Sequence, residues 1–365
     1  MKKVPQKLIY LVAAARPNFM KIAPLYHALS AEPWAEPRII HTGQHYDKNM
    51  SNAFFRDFGL PVPYVNFGVG SGSHAEQTAK VMIAFEKIAS RERPDLIIVV
   101  GDVNSTMACT ITAVKLGLQI AHLEAGLRSF DRRMPEEINR IVTDSLAAML
   151  FTPSPDADEN LLREGIAPGK IRRVGNIMID SLEMLRGKIE NQDTYRQLAL
   201  IPGNYGVVTL HRPSNVDDSA TLKKIMRVLQ NVSRDIPLVF PIHPRTRKIL
   251  KKIKFNMQGS KVRLVDPLGY ASFMNLVFNC KFVLTDSGGV QEETTYLNIP
   301  CLTLRENTER PITVSNGTNK LIAINSLERC VTAINNGRWK KSKAIKLWDG
   351  STSKRIVGVL KGFVV

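Results

Sequence analysis

Short apolar runs alternate with stretches whose apolar residues recur at helical spacing, and the alternation holds from one end of the chain to the other. Parallel strands need long crossover connections and helices make them, so this pattern predicts a doubly wound α/β protein with parallel sheets. In the first half, strands read over 8–14, 38–41, 96–100, 120–123 and 149–151. Helices read between them over 20–29, 49–58, 75–90, 105–116 and 136–148. Around Arg172-Arg173-Val174-Gly175-Asn176 the series ends. A second series begins at 205–210 and continues at 238–242, 263–265, 282–284 and 301–304. One of its helices, over 221–232, carries the stripe Leu222, Ile225, Met226 and Leu229. Two series of similar length predict two domains, 1–170 and 171–350, with a cleft between the sheets. A last helical segment over 353–360 can fold back on either half, and we take 351–365 as returning to the first. In open sheets of this kind ligands bind beyond the carboxyl ends of the strands. Those ends are where chemistry is expected.

Length and charge narrow the classes of function. A chain of 365 residues accommodates two domains with ample core, and no apolar run approaches membrane-spanning length. Met1-Lys2-Lys3 ahead of the apolar residues 8–15 has the outline of a short secretory signal. Pro5 interrupts the approach and the run is short, so it reads as a first buried strand opening into Arg16-Pro17. The four cysteines (Cys109, Cys280, Cys301, Cys330) show no CxxC spacing and sit among apolar residues, which points to buried free thiols and a cytoplasmic, reducing compartment. The formal charge is +17, much of it in two runs. Residues 245–263 hold eight basic residues and no acid, and Arg338-Trp339-Lys340-Lys341-Ser342-Lys343 follows later. Such an excess suits nucleic acid, a membrane surface or anionic small substrates. The first run also carries Ile249, Leu250 and Ile253, the buried stripe of an exposed helix, and no zinc-finger, RNP or helix-turn-helix pattern accompanies it. A solvated face is the expectation, with no nucleic acid as partner and no membrane insertion.

The residues at the strand ends carry the chemistry. Lys281-Phe282-Val283-Leu284 reads as the end of a buried strand, and Thr285-Asp286-Ser287-Gly288-Gly289-Val290-Gln291-Glu292-Glu293 leads from it into a helix. Glycines admit close backbone approach, and the first helical N–H groups lack intrahelical partners, so the turn suits phosphate or diphosphate. A carboxylate beside a phosphate is repelled, so Glu292 or Glu293 is expected to face hydroxyl donors such as those of a ribose. The same stretch also suits a plain strand–helix turn with acids favoured by the dipole. The first strand opens into Arg16-Pro17-Asn18-Phe19-Met20-Lys21, whose two cations fit a diphosphate or an exposed loop. Asp102, in Gly101-Asp102-Val103-Asn104, can cap the following helix. Glu124 directly follows a buried strand, where a carboxylate is costly without a partner, and Arg128 is the expected partner. In Met134-Pro135-Glu136-Glu137-Ile138-Asn139-Arg140, Pro135 suits a first helical position and Glu136 with Arg140 forms an i, i+4 pair. His211 and His243, two of seven histidines, close consecutive strands and suit contact to a phosphate or sugar hydroxyl, or a satisfied loop role. No set of ligands has zinc-site spacing, no Walker A sequence is present, and Gly68-Val69-Gly70-Ser71-Gly72-Ser73 lacks the third glycine of a dinucleotide fingerprint.

At these residues the chain resembles the non-hydrolysing UDP-N-acetylglucosamine 2-epimerases. The resemblance runs through Ala15-Arg16-Pro17-Asn18-Phe19-Met20-Lys21, Thr42-Gly43-Gln44-His45, Gly101-Asp102, His122-Leu123-Glu124-Ala125-Gly126-Leu127-Arg128, Pro135-Glu136-Glu137-Ile138-Asn139-Arg140, the 285–293 stretch and Thr308-Glu309-Arg310-Pro311. It implies two Rossmann-like doubly wound domains in a glycosyltransferase-B arrangement with a central cleft, a homodimer, and no cofactor or metal. By the same resemblance Arg16, His211, Ser287, Gly288 and Gly289 hold the diphosphate, Glu293 holds the ribose, and Lys21 and Arg310 line the site. Asp102, Glu124 and Glu136 are the acid–base groups around the sugar, with His211 beside them. An accessory UDP-sugar site is implied as well, for which Gln44, His45, Glu137 and His243 are the nearest candidates. Two departures stand out: Tyr46-Asp47 replaces the Arg-Glu that follows Gln-His in better-known members, and His211-Arg212-Pro213-Ser214 stands where many read His-Arg-Arg-Glu. The first bears on regulation by a second UDP-sugar, the second on the sugar accepted, such as a diacetamido uronic acid.

The reaction so implied inverts C2 of a UDP-linked amino sugar, the product feeding polysaccharide biosynthesis. The C2 hydrogen is not beside a carbonyl, so the C1–O bond must break first or in concert, expelling UDP and acidifying C2–H. That calls for a stabilised diphosphate leaving group, acid–base groups on both faces of the ring and a dry site, with Gly175 or Gly203 as hinges. Competing readings are a glycosyltransferase of the same architecture, a hydrolysing 2-epimerase that releases free ManNAc and UDP, and a basic nucleic-acid-binding protein.

Overall fold

The computed structural model describes residues 6–43 and 55–364, with the Arg16 side chain excepted. The chain divides into two compact units, Met1–Met184 with Lys346–Val365, and Leu185–Ile345. The first unit is built on a seven-stranded sheet in the order β3-β2-β1-β4-β5-β6-β7. Its strands are β1 (Lys7–Ala13), β2 (Ala35–His41), β3 (Val65–Asn66), β4 (Leu96–Val100), β5 (Ile120–Leu123), β6 (Met149–Thr152) and β7 (Ile171–Arg173). All pairings are parallel, with Leu11 opposite Ile98 and Val100 opposite Leu123. Every residue of the central strand β4, Leu-Ile-Ile-Val-Val, is buried, as expected where helices cover both faces of a sheet. Phe85, Ile88, Ala108, Cys109 and Leu161 from the surrounding helices pack with sheet residues Ile97, Val99, Ile120 and Leu150 into one core. The apolar run near the N-terminus is β1, hydrogen-bonded on both sides.

The second unit repeats the plan with six strands in the order β10-β9-β8-β11-β12-β13, again all parallel. They are β8 (Gly206–Thr209), β9 (Leu238–Pro241), β10 (Val262–Val265), β11 (Phe282–Thr285), β12 (Cys301–Thr303) and β13 (Asn319–Leu321). The amphipathic helix Ser219–Asp235 buries Leu222, Ile225, Met226 and Leu229 against Phe240, Phe282 and Leu302. All four cysteines are free and buried. The terminal helix Thr352–Val364 belongs to the first unit, where Asp180 accepts hydrogen bonds from the Thr352 and Ser353 amides at 3.0 and 2.8 Å.

Strand order reverses once in each sheet, between β1 and β4 and between β8 and β11. At such a switch point the connections leave toward opposite faces and open a crevice at the carboxyl ends. Three short strands (β3, β7, β13) escaped the sequence pattern because two or three residues are too few to show a period. The helix expected over 49–58 lies mostly outside the described residues. The basic run 245–263 forms a helix only over Pro244–Lys252, with Thr246 and Leu250 inward and its lysines in solvent. Among the described residues no helix is long and apolar enough to cross a membrane.

Candidate functional site

In the first unit the switch point gathers the ends of β1, β4 and β5. Asn18 sits in the first turn of the helix Arg16–Ser30, and its side-chain oxygen accepts from the Ala14 and Ala15 amides at 3.2 and 3.0 Å. Its amide nitrogen donates 3.1 Å to the Val100 carbonyl, so one residue ties the ends of β1 and β4 together. Beyond Val100 the chain turns at Gly101 with φ +69°, and a Cβ there would stand 3.3 Å from Lys21 Nζ and 3.7 Å from Glu124 Oε2. A side chain would crowd the two groups whose contact defines this crevice. Lys21 and Glu124, 8% and 4% exposed, form a buried ion pair. Glu124 takes a left-handed backbone, φ 71°, unusual for a non-glycine residue and enriched where function holds strain. Its Oε1 is buried with no hydrogen-bond partner among the described residues. A buried carboxylate oxygen left open in this way is costly unless something binds to it.

The structure therefore corrects the expected pairing. Arg128 does not reach Glu124 but bonds Asp144 and Glu164, each at 2.7 Å. Asp144 also binds His122 Nδ1 at 2.6 Å, and His122 Nε2 meets the Gly101 carbonyl at 2.9 Å. Burial works to raise the Asp144 carboxyl, but His122 and Arg128 outweigh it and hold it below the usual carboxylate range. This inner cluster fixes the Gly101 turn from beneath. A second correction concerns the helix Pro135–Leu146. Arg140 pairs not with Glu136 but with Glu137, at 2.6 Å, and with Asp102. Glu137 also accepts from the Ser129 and Phe130 amides at 3.0 and 2.8 Å. Burial opposes its ionisation, yet the Ser129 amide and Arg140 hold the carboxyl below its ordinary value. Glu137 Oε2 thus holds the Arg140 brace that carries Asp102, while Oε1 takes the Phe130 amide, and the Asp102 carbonyl accepts 2.8 Å from Asn139. Glu136 stands exposed in the first helical turn with no side-chain partner among the described residues.

In the second unit the ends of β8 and β11 meet. Asp286, fully buried, accepts from the His211 and Arg212 amides at 3.1 and 3.0 Å, from Asn215 at 2.9 Å, and faces His211 Nδ1 at 3.0 Å. Burial raises its carboxyl, and His211 with Asn215 and the Arg212 amide more than reverse that. The His211 side chain itself stays 58% exposed, held by its Nδ1 with the ring outward. Ser287, Gly288 and Gly289 open the helix Gly288–Tyr296, and the Ser287 side chain does not cap it. First-turn amides without such a cap present donors and a positive dipole end to an anion. Gly288 is required sterically, because a Cβ there would run into Arg310 Nη1 and stand 2.8 Å from Glu309 Oε1. Arg310 is itself fixed, by Glu292 at 3.0 Å and Glu309 at 2.5 Å, and burial of Glu309 is outweighed by Arg310 and Arg305, which keep it ionised. Glu293 accepts 2.6 Å from the Tyr270 hydroxyl. Burial pushes its carboxyl up to about 8, with Tyr270 opposing and the Glu292 charge adding.

The expected residues fall into two groups accordingly. Lys21, Asp102 and Glu124 come together in the first unit, and His211, Ser287, Gly288, Gly289, Glu293 and Arg310 gather around one crevice rim in the second. His243 caps the helix Pro244–Lys252, its Nδ1 accepting from the Arg245 amide at 3.2 Å. Gln44, His45 and the Arg16 side chain lie outside the described residues. Asn18, His122, Tyr270 and Asp286 carry no role in the sequence pattern, and Arg140 carries only the pairing with Glu136. Asn18, His122, Arg140 and Asp286 lie inside the motifs and carried a signal; Tyr270 sits 23 residues from its partner and carried none.

Comparison with known proteins places this arrangement. The family model for UDP-N-acetylglucosamine 2-epimerase matches residues 27–361. A UDP-N-acetylglucosamine 2-epimerase from Methanocaldococcus jannaschii is 42% identical over 96% of this chain and 98% of its own length. A crystal structure of the M. jannaschii enzyme in complex with UDP-GlcNAc and UDP superposes with a TM-score of 0.87 at 40% identity, covering 98% of this chain and all of that one. The UDP-2,3-diacetamido-2,3-dideoxy-D-glucuronate 2-epimerase of Pseudomonas aeruginosa is 38% identical over 86% of this chain and 88% of its own. A Streptomyces nogalater glycosyltransferase, 14% identical with a TM-score of 0.59 over 99% of this chain and 100% of its own, shares the fold alone.

Proposed function

The chain belongs to the UDP-N-acetylglucosamine 2-epimerase family, and on that premise we propose that it inverts C2 of a UDP-N-acetylhexosamine by eliminating UDP and adding it back. The observation that carries the proposal is the buried, strained Glu124 with an open carboxylate oxygen, at the Gly101 turn that precedes Asp102. It supports proton transfer at a sugar carbon better than phosphate binding alone would require. In the proposed sequence, the UDP diphosphate is held by the Ser287-Gly288-Gly289 turn, with Arg16, His211 and Arg310, and Glu293 takes the ribose. Backbone donors and cations stabilise the charge that develops as the C1–O bond breaks, and the bond pair leaves with the diphosphate. The electron deficiency at C1 acidifies C2–H, and a carboxylate of the Asp102, Glu124, Glu136 set removes the proton. The C2–H electron pair becomes the C1–C2 double bond of 2-acetamidoglucal. A proton delivered to the opposite face of C2 and return of the diphosphate oxygen to C1 complete the inversion.

On this reading the enzyme is of the non-hydrolysing type, works as a homodimer in the cytoplasm and supplies a polysaccharide precursor. The relative from P. aeruginosa and the His211-Arg212-Pro213-Ser214 sequence support a second substrate reading, a UDP-diacetamido uronate. Proton NMR of each UDP-sugar with the enzyme in D2O tests both. Deuterium at C2 with UDP-linked epimer as product is the expected result. Accumulation of free amino sugar and UDP would reveal a hydrolase, and no exchange with either sugar would refute the epimerase.

A further inference from the structure

We propose that the second unit carries a separate binding site for a small phosphorylated ligand, in the cavity flanked by β13, the helix Leu327–Asn335 and the basic segment 338–343. The proposal does not depend on the epimerase reading. The cavity measures about 570 Å³, enough for a sugar phosphate or a mononucleotide. Lys320, Arg329, Arg338 and Lys340 line it with Trp339, and no acidic side chain does. None of the four cations has a carboxylate within ion-pair reach among the described residues. Glu328, the residue before Arg329, accepts from Asn231 at 3.0 Å. Four exposed like charges around one cavity repel one another, and an anion bound among them relieves that repulsion. Burial first, and then the Lys320 charge, make the Lys340 ammonium easier to deprotonate than usual, and its Nζ is held at the cavity by the Val314 carbonyl.

The basic segment is also fixed in place, as a binding wall must be. The Arg338 amide donates 2.8 Å to the Ala333 carbonyl and the Lys343 amide 2.7 Å to that of Asn316. The Ser342 amide donates 2.8 Å to Asn298 Oδ1. Trp339 is oriented by its indole N–H, which donates 2.8 Å to the Thr318 carbonyl, and one side of the ring packs on the core. Lys320 Nζ lies 5.9 Å from the ring centroid. A flat ring can therefore lie against Trp339 while its phosphate meets the arginines, which bind such oxygens in pairs. The site is not the diphosphate seat. β13 lies two strand spacings, roughly 10 Å, from β11, and Asn319 marks its amino end whereas Ser287 follows the carboxyl end of β11.

Titration calorimetry and tryptophan fluorescence on the full chain at 0.15 M salt test this, with glucose 6-phosphate, adenosine 5′-monophosphate, inorganic phosphate and a single-stranded oligonucleotide as probes. We expect saturable one-to-one binding of at least one ring-bearing phosphate, tighter than inorganic phosphate by tenfold or more. Which of the two binds tells sugar from nucleotide. R338E/K340E should weaken that binding at least tenfold and leave C2 exchange unchanged, and W339F should abolish the fluorescence change. Equal affinity for inorganic phosphate, binding of the oligonucleotide alone, or no saturable binding would overturn the proposal. So would undiminished affinity in an R338E/K340E protein whose circular dichroism matches wild type.

Discussion

The two switch points occupy equivalent places in two sheets of the same plan, yet they are furnished in opposite ways. In the first unit the functional groups are side chains, and Glu136 apart they are held by neighbours: Lys21 on Glu124, Arg140 on Asp102, with His122 fixing the Gly101 turn. In the second, the central feature is backbone, the Ser287-Gly288-Gly289 turn at a helix start, with Asp286 and Glu309 holding His211 and Arg310 around it. On the proposed mechanism the difference follows from what each must do. Moving protons needs groups that change charge, held at defined angles by partners. Stabilising a departing diphosphate needs donors that keep their charge, which amides and arginines do at any physiological pH.

Substitutions can break that division of labour. The largest effect is expected for D102N and E124Q, which keep shape and remove the carboxylate. C2 deuterium exchange should fall by about 10²–10⁴-fold while UDP affinity changes little. Equal losses in both quantities would mean that the first switch point binds rather than reacts. G288A should do the reverse, because its Cβ displaces Arg310. Calorimetry should show UDP binding weakened about 10–100-fold, with exchange at saturating substrate much less affected.

Glu293 sharpens the contrast through pH. Its carboxyl titrates near 4.5 in the unfolded chain and at about 8 in the folded one, so between those values the native state binds more protons. Stability from this group is present below about pH 4.5 and is lost as pH rises through about 8, on the order of 5 kcal/mol in all. E293Q should flatten the decline in a urea-melt series from pH 5 to 9, and an unchanged slope would show that the carboxyl ionises freely. The smallest effect belongs to H243A. Loss of the helix cap should cost about 1 kcal/mol in denaturation while turnover and its dependence on UDP-sugar concentration stay as in wild type. A changed concentration dependence would instead place His243 in an accessory site.

The same contrast explains how much could be read beforehand. The Ser-Gly-Gly turn is contiguous, so strand, glycines and helix start stood together in the sequence and its place at a strand end followed. The alternation of β4 and its neighbours likewise announced both sheets. Partnerships among side chains were not legible, because they join residues far apart whose angles depend on packing. Glu124 took Lys21, 103 residues earlier, over the nearby Arg128, which the buried Asp144 claimed. Arg140 passed over Glu136 for Glu137, since the i, i+3 neighbour faces inward with it and the i, i+4 neighbour faces solvent. Tyr270 could be found only once the helix carrying it was seen against Glu293.

On the proposed mechanism the anomeric bond opens whenever the neighbouring hydrogen is lost. UDP-N-acetylglucosamine carrying ¹⁸O in the bridge between sugar and diphosphate, incubated with enzyme in D2O and followed by mass spectrometry and ³¹P NMR, tests that opening directly. The label should scramble into the non-bridging β-phosphate positions while deuterium enters C2. Deuterium entering C2 with every ¹⁸O atom still in the bridge would show that the bond never opened, and the mechanism would be wrong.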